Sequence, residues 1–133
     1  MKAKSDNNGS NEPIARFLLH SKWINKANKT VKHQAFQPDN RTGTFELSTY
    51  RIAGLSNKEI LRTGNLVSQD AGGKNLYGFA SLQEIHFTDQ NLQLHTDNIP
   101  RQGHTNILNW PTGKDDIKLI RLELARLAEF VPI

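Results

Sequence analysis

The chain has no cysteine among its 133 residues and a single methionine. Without cysteine there is no disulfide framework, no thiolate nucleophile and no Cys-based zinc site, so any metal would need histidine and carboxylate ligands. Long apolar runs are also missing. No stretch approaches the roughly 20 residues that cross a bilayer, and the Met1 region lacks the apolar centre of a signal peptide. Aromatic residues make up only 8% of the chain and apolar residues 36%. These absences lead us to expect a small cytoplasmic protein with no membrane partner, and no motif asks for a cofactor. The phosphate-loop signature is absent too. Thr112-Gly113-Lys114 resembles a fragment of one, but the earlier glycine and the following Ser or Thr are lacking.

What is present is a mild positive charge. Seventeen Lys and Arg against thirteen Asp and Glu give +4 and an isoelectric point near 9.5. That balance suits a phosphate-bearing partner, although no Lys/Arg block is dense enough to act as a binding arm. The length fits one domain with one core. Residues 1–12 are poor in apolar side chains and are expected to form a disordered tail, leaving 13–133 as a single small α+β domain.

Along that domain, Pro13 suits the first position of a short helix carrying Ile14, Phe17, Leu18 and Trp23. The segment from Asn25 to Asp39 has no clear period and reads as a surface stretch anchored by Val31 and Phe36. Thr44 to Ala53 is the clearest strand, with Phe45, Leu47, Thr49 and Arg51 on one face and Glu46, Ser48, Tyr50 and Ile52 on the other. Ser56 and Glu59 form a capping box for a helix expected to stop at Gly64. A loop follows over 70–75. Next come a strand over 76–80, a short helix capped by Ser81 with Glu84 and running to about Phe87 (or, alternatively, a continuation of the strand), and strands ending near His95 and starting at His104. The last helix begins at Asp115-Asp116. Its expected buried face is Ile117, Ile120, Leu124 and Leu127, widened by Leu119, Leu122 and Ala128. The sheet is expected to be short, mainly antiparallel and packed by this helix.

Two histidines, His95 and His104, are the candidate acid–base pair, because imidazole titrates near neutral pH. Arg101 and Lys114, at a loop and a helix start, are candidate ligand-binding residues together with Lys32, Arg51 and the ring of Tyr77. Each has a plainer alternative. A histidine at a strand end is commonly a surface or hydrogen-bonded group, Lys114 is a solvated first-turn residue, and Arg51 suits an ion pair with Glu59 or Asp97. Trp110 is expected in the core. His86-Phe87-Thr88 matches the His-x-Thr element of two-histidine phosphoesterases, but no second copy occurs. A zinc site from His95, Asp97 and His104 would need the intervening loop to fold back, and no metal is expected.

From about Ala15 onward, several short elements occur together. They include Arg16-Phe17-Leu18, Leu47-Ser48-Thr49-Tyr50-Arg51 and Leu76-Tyr77-Gly78. The longest runs from Pro100-Arg101 through His104-x-Asn106-Ile107 to Trp110-Pro111 and Lys114. In these the chain resembles a family of small bacterial proteins with no assigned activity, in which Arg runs directly into His where this chain inserts Gln102-Gly103. The resemblance implies a bacterial, intracellular protein associated with mobile elements or phage, and it transfers no catalytic residue.

Three functions fit these residues. One is a domain that binds or processes a nucleotide or nucleic acid through an Arg/His/Lys cluster. A second is an accessory, immunity or antitoxin-like module whose protein partner is encoded nearby. A third is a metal-independent ribonuclease.

Overall fold

The computed structural model describes residues 11–133. The expected tail over 1–12 therefore lies, up to residue 10, outside the described residues. Glu12 is already engaged, its carbonyl accepting the Glu84 N–H at 3.0 Å. The domain is α+β: a seven-stranded, mainly antiparallel sheet and three α-helices.

In chain order the sheet strands are β1 (Pro13–Leu18), β4 (Asp39–Arg41), β5 (Thr44–Arg51), β6 (Gly78–Gln83), β7 (Gln93–Thr96), β8 (His104–Leu108) and β9 (Glu129–Pro132). Between β1 and β4 a small separate hairpin pairs β2 (Ile24–Asn25) with β3 (Thr30–Val31), flanked by 3₁₀ turns at Ser21–Trp23 and His33–Phe36. The main sheet runs β9-β6-β1-β5-β8-β7, with β4 paired to the start of β5. The helices are α1 (Asn57–Asp70), α2 (Glu84–Thr88) and α3 (Lys114–Leu127).

Pro13 opens a strand and not a helix. β1 lies between β6 and β5 and is buried on both sides, so Ile14 and Leu18 join one core while Ala15 and Phe17 join the other. Two-sided burial gives a continuous apolar run and removes the alternation that marks a strand, and proline is tolerated as a first strand residue. On one face, α3 and the 3₁₀ turns cover Ile14, Leu18, Leu47 and Ile107, with Phe36 of the second turn and Phe87 of α2 fully buried in the same core. Each such burial is worth about 1.5–3 kcal/mol. On the other, α1 covers Ala15, Phe17, Tyr50 and Ile52 with its own buried Ile60.

α1 begins as expected. The Glu59 N–H donates to Ser56 Oγ at 3.2 Å, and the Ser56 N–H donates to Glu59 Oε1 at 2.9 Å. Those bonds hold the Glu59 carboxylate below its ordinary pKa. Gly64 does not end this helix, which runs on to Asp70. A Cβ at Gly64 would lie 2.8 Å from Leu76 and 2.9 Å from Phe17, so the glycine lets α1 approach the sheet closely.

Several other expectations need correction. Ser81 lies within β6, and α2 is instead closed by His86, whose Nδ1 accepts the Gln83 N–H at 3.0 Å. Leu119 and Leu122 are exposed, while Ile117 and Leu124 are buried as expected. Trp110 is buried and its Nε1–H donates to the Ile107 carbonyl at 2.9 Å. The short edge strand β9 had no signal in the sequence. It can reach β6 because Gly78 has φ +140°, and a Cβ there would lie 2.3 Å from the Val131 carbonyl.

Candidate functional site

α1 covers only part of its face of the sheet. Beyond the end of that helix, β5 and β8 present polar side chains to a cleft of about 490 Å³. Register places them. Tyr50 stands opposite His104, Ser48 opposite Asn106, and Asn106 opposite His95, so all five project to this one face. The loop 97–103 closes the cleft from the side, and the C-terminal end of α1 brings Asp70 to its rim.

Within the cleft, three side chains form one hydrogen-bonded line. His104 Nδ1 is 2.7 Å from Asp97 Oδ1, and His104 Nε2 is 2.8 Å from Ser48 Oγ. Asp97 is held below the ordinary aspartate pKa, first by its bond to His104 and then by the Ile99 N–H, which donates to Oδ1 at 3.0 Å. An ionised Asp97 can only accept, so Nδ1 carries a proton, and in the neutral tautomer that this selects Nε2 is left to accept from the Ser48 hydroxyl. The second carboxylate oxygen accepts from Asn106 Nδ2 at 3.2 Å. His104 is only 8% exposed, and the Tyr50 ring meets it edge to face at 5.3 Å.

The surroundings fix this line in place. Arg101 donates to the Tyr50 hydroxyl at 3.1 Å and to Asp70 at 2.6 Å. Its guanidinium is held above the usual range, chiefly by Asp70. Burial raises the Tyr50 pKa against the opposing effect of Arg101. Behind the sheet, Arg16 donates to the Ser48 carbonyl at 3.1 Å and to the Ala35 carbonyl at 2.9 Å. Desolvation brings its pKa down to about 10, with Asp39 opposing. The loop that delivers Asp97 has Asn98 at φ 57° and Gly103 at φ 90°. The Gly103 N–H donates to Asn98 Oδ1 at 2.9 Å, and its carbonyl accepts the Arg51 N–H at the same distance.

The structure thus brings His104 and Arg101 into one cleft and puts His95, exposed, on the same sheet face. It does not bring the other expected ligand-binding residues there. Arg51 projects from the opposite face, where Glu84 at 2.9 Å and Glu12 at 3.2 Å hold its guanidinium; neither Glu59 nor Asp97 is its partner. Lys114 lines a separate cavity with Lys118 and Arg121. Lys32 is exposed beside the 3₁₀ turns, and Tyr77 lines a third cavity with His20 and Trp23. Asp97, weighed in the sequence only as a zinc ligand or a partner of Arg51, and Ser48, read there as a strand-face residue, are the candidates whose place beside His104 the sequence did not give. Period two had already placed Ser48 beside Tyr50, but its bond to His104 needs the register of β5 on β8. Among the described residues, no three His, Asp or Glu side chains are grouped so as to hold a metal, and no helix is long and apolar enough to cross a membrane.

An α+β sheet with a hydrogen-bonded Asp–His–Ser line on its open face defines the molecule as far as its geometry goes. The chain matches no protein family, no curated protein and no solved structure.

Proposed function

We propose that the protein is an acid–base enzyme in which Asp97 orients His104 and His104 activates the hydroxyl of Ser48. The observation that carries this reading is the continuous line from Asp97 Oδ1 through both ring nitrogens to Ser48 Oγ, at 2.7 and 2.8 Å. As Oγ attacks the carbon or phosphorus of an ester, its proton passes to Nε2, and Asp97 stabilises the imidazolium that forms. Nε2 then returns the proton to the leaving group, and water releases the Ser48 ester by the same base. Arg101, with the Tyr50 hydroxyl, supplies the positive and donor groups of the cleft. A substrate whose transferred group carries negative charge, a phosphate ester foremost, suits them.

A fluorophosphonate probe tests the reading directly. Ser48 Oγ should displace fluoride and form a phosphonyl ester found by mass spectrometry on the peptide containing Ser48. Ser48→Ala should abolish the adduct, and His104→Ala should slow it by about 10²–10⁴-fold. No adduct at Ser48, or one indifferent to His104, overturns the proposal.

One observation favours a second reading, RNA cleavage by internal attack. His95 and His104 sit diagonally across neighbouring strands on the same face, a relation that places Cβ atoms somewhat under about 7–8 Å apart in antiparallel pairs. A ribose 2′-hydroxyl would then take the place of the Ser48 hydroxyl at Nε2, with His95 serving the leaving oxygen. Cleavage that persists in a chelator, survives Ser48→Ala and is lost in His104→Ala would select this version. If wild-type protein neither forms the adduct nor cleaves RNA, the interaction-module reading takes precedence, and binding to a protein encoded beside it becomes the measurement.

A further inference from the structure

The charge of the chain is not spread evenly. From Pro13 to Pro38 there are five Lys and Arg and no Asp or Glu, so this stretch carries +5 of a net +4 and the remainder sums to −1. It folds as β1, the two 3₁₀ turns and the β2–β3 hairpin between them. Lys22, Lys26, Lys29 and Lys32 are all exposed along it. Among the described residues none of the four has a carboxylate within ion-pair distance. The hairpin is tied to the first turn, since the Lys32 N–H donates to the Trp23 carbonyl at 2.7 Å.

At one end of this basic surface lies a cavity of about 560 Å³ that includes Trp23, Tyr77, His20, Lys22 and Lys74, with no acidic residue among the described residues that line it. Lys74 arrives from the loop after α1, and its Nζ donates to His20 Nε2 at 3.2 Å. His20 meets Trp23 edge to face at 4.5 Å, and the Arg16 guanidinium lies 5.1 Å from the Trp23 ring. Aromatic side chains ringed by cations, with a row of exposed lysines leading away, suit a flat base followed by phosphates. An anionic membrane fits less well, because no large apolar side chain of the stretch is exposed for insertion between lipids.

We propose that this surface binds single-stranded nucleic acid, seating one unpaired base against Trp23 and Tyr77 and running the phosphates along Lys22 and the hairpin lysines. It uses residues outside the His104 cleft, so it stands whichever hydroxyl reacts there.

The test is fluorescence anisotropy of labelled dT12 and U12 with the full chain over 50–300 mM salt, with a 12-base-pair duplex and phosphatidylglycerol vesicles as comparison. Four lysine–phosphate contacts predict a slope of log K against log salt near −3 for single strands. The K22Q/K26Q/K29Q/K32Q variant should lose most of that slope while keeping its melting temperature, because all four side chains are solvated. Tryptophan fluorescence should be quenched on binding, through Trp23, since Trp110 is buried. Equal binding by the quadruple variant, tighter binding to duplex or vesicles than to single strands, or no binding at 50 mM salt would overturn the proposal. Binding without quenching would refute the seated base.

Discussion

Two histidines in this protein sit in matching frames with opposite charges at their ring nitrogens. His104 meets Tyr50 edge to face at 5.3 Å, and His20 meets Trp23 the same way at 4.5 Å. What differs is the charge at the ring nitrogens. His104 has a carboxylate at one nitrogen and a hydroxyl at the other, so it can accept a proton and have the resulting charge stabilised. His20 has an ammonium at Nε2, with Lys22 and Arg16 nearby. Desolvation first, and those cations second, hold its pKa below the usual imidazole value. A ring kept neutral is an acceptor in a cationic surface and not a proton carrier. The same side chain becomes a candidate catalyst or a candidate binding group according to its neighbours.

Removing the carboxylate from the first frame should have the largest effect. Asp97→Asn presents an amide to Nδ1, which lets the ring take the tautomer with its proton on Nε2, where it can no longer accept from Ser48. Fluorophosphonate labelling of Ser48 should fall by about 10²-fold or more. His20→Ala should leave the labelling rate within about twofold. Equal losses in the two variants would erase the distinction between the frames.

Arg16 joins the two frames, because it bonds the Ser48 carbonyl and lies against Trp23. Arg16→Met should cost about 2–3 kcal/mol in urea denaturation, since two carbonyls lose a charged donor in a desolvated site. Arg16→Lys should recover little of it, for a single ammonium does not reproduce the fork reaching both carbonyls. Gly103→Ala comes next. At φ 90°, with the Arg51 carbonyl 3.1 Å from the new Cβ, it should cost about 1–3 kcal/mol. It should also slow Ser48 labelling, because the turn sets where Asp97 meets His104.

How much of this was legible beforehand varies by residue. β5 and its two faces were readable from alternation, and the α1 start from its capping box, because both signals are local. β1 was not, because burial on both faces leaves no alternation to read. His104 and Arg101 stood out as residue types. The role of Asp97 depends on a backbone excursion through Asn98 and Gly103 at positive φ, and no pattern in the flanking residues announces where that loop returns. Likewise the acid-free run from Pro13 to Pro38 is plain in the sequence. The approach of Lys74 to His20, 54 positions apart, exists only after α1 has crossed the sheet.

The smallest effect is also the most direct measure of the second frame. In an NMR titration His20 should protonate below the ordinary imidazole range, and Lys74→Gln should move it part of the way back, since burial remains the larger cause. The stability consequence has a definite sign. A base whose folded pKa is depressed contributes stability that is complete above its unfolded value of about 6.5, and that stability is lost as pH falls through the folded value. Urea midpoints should therefore drop between pH 7.5 and 5.5, with His20 contributing, and drop less in Lys74→Gln. Repeating the titration with dT12 bound separates binding from mere proximity. Phosphate beside Lys74 offsets the cations that depress His20, so its pKa should rise on binding. A ring whose titration ignores both Lys74→Gln and bound dT12 would mean that the cations around it are too well screened to act on it, and the contrast with His104 would then rest on the Asp97 carboxylate alone.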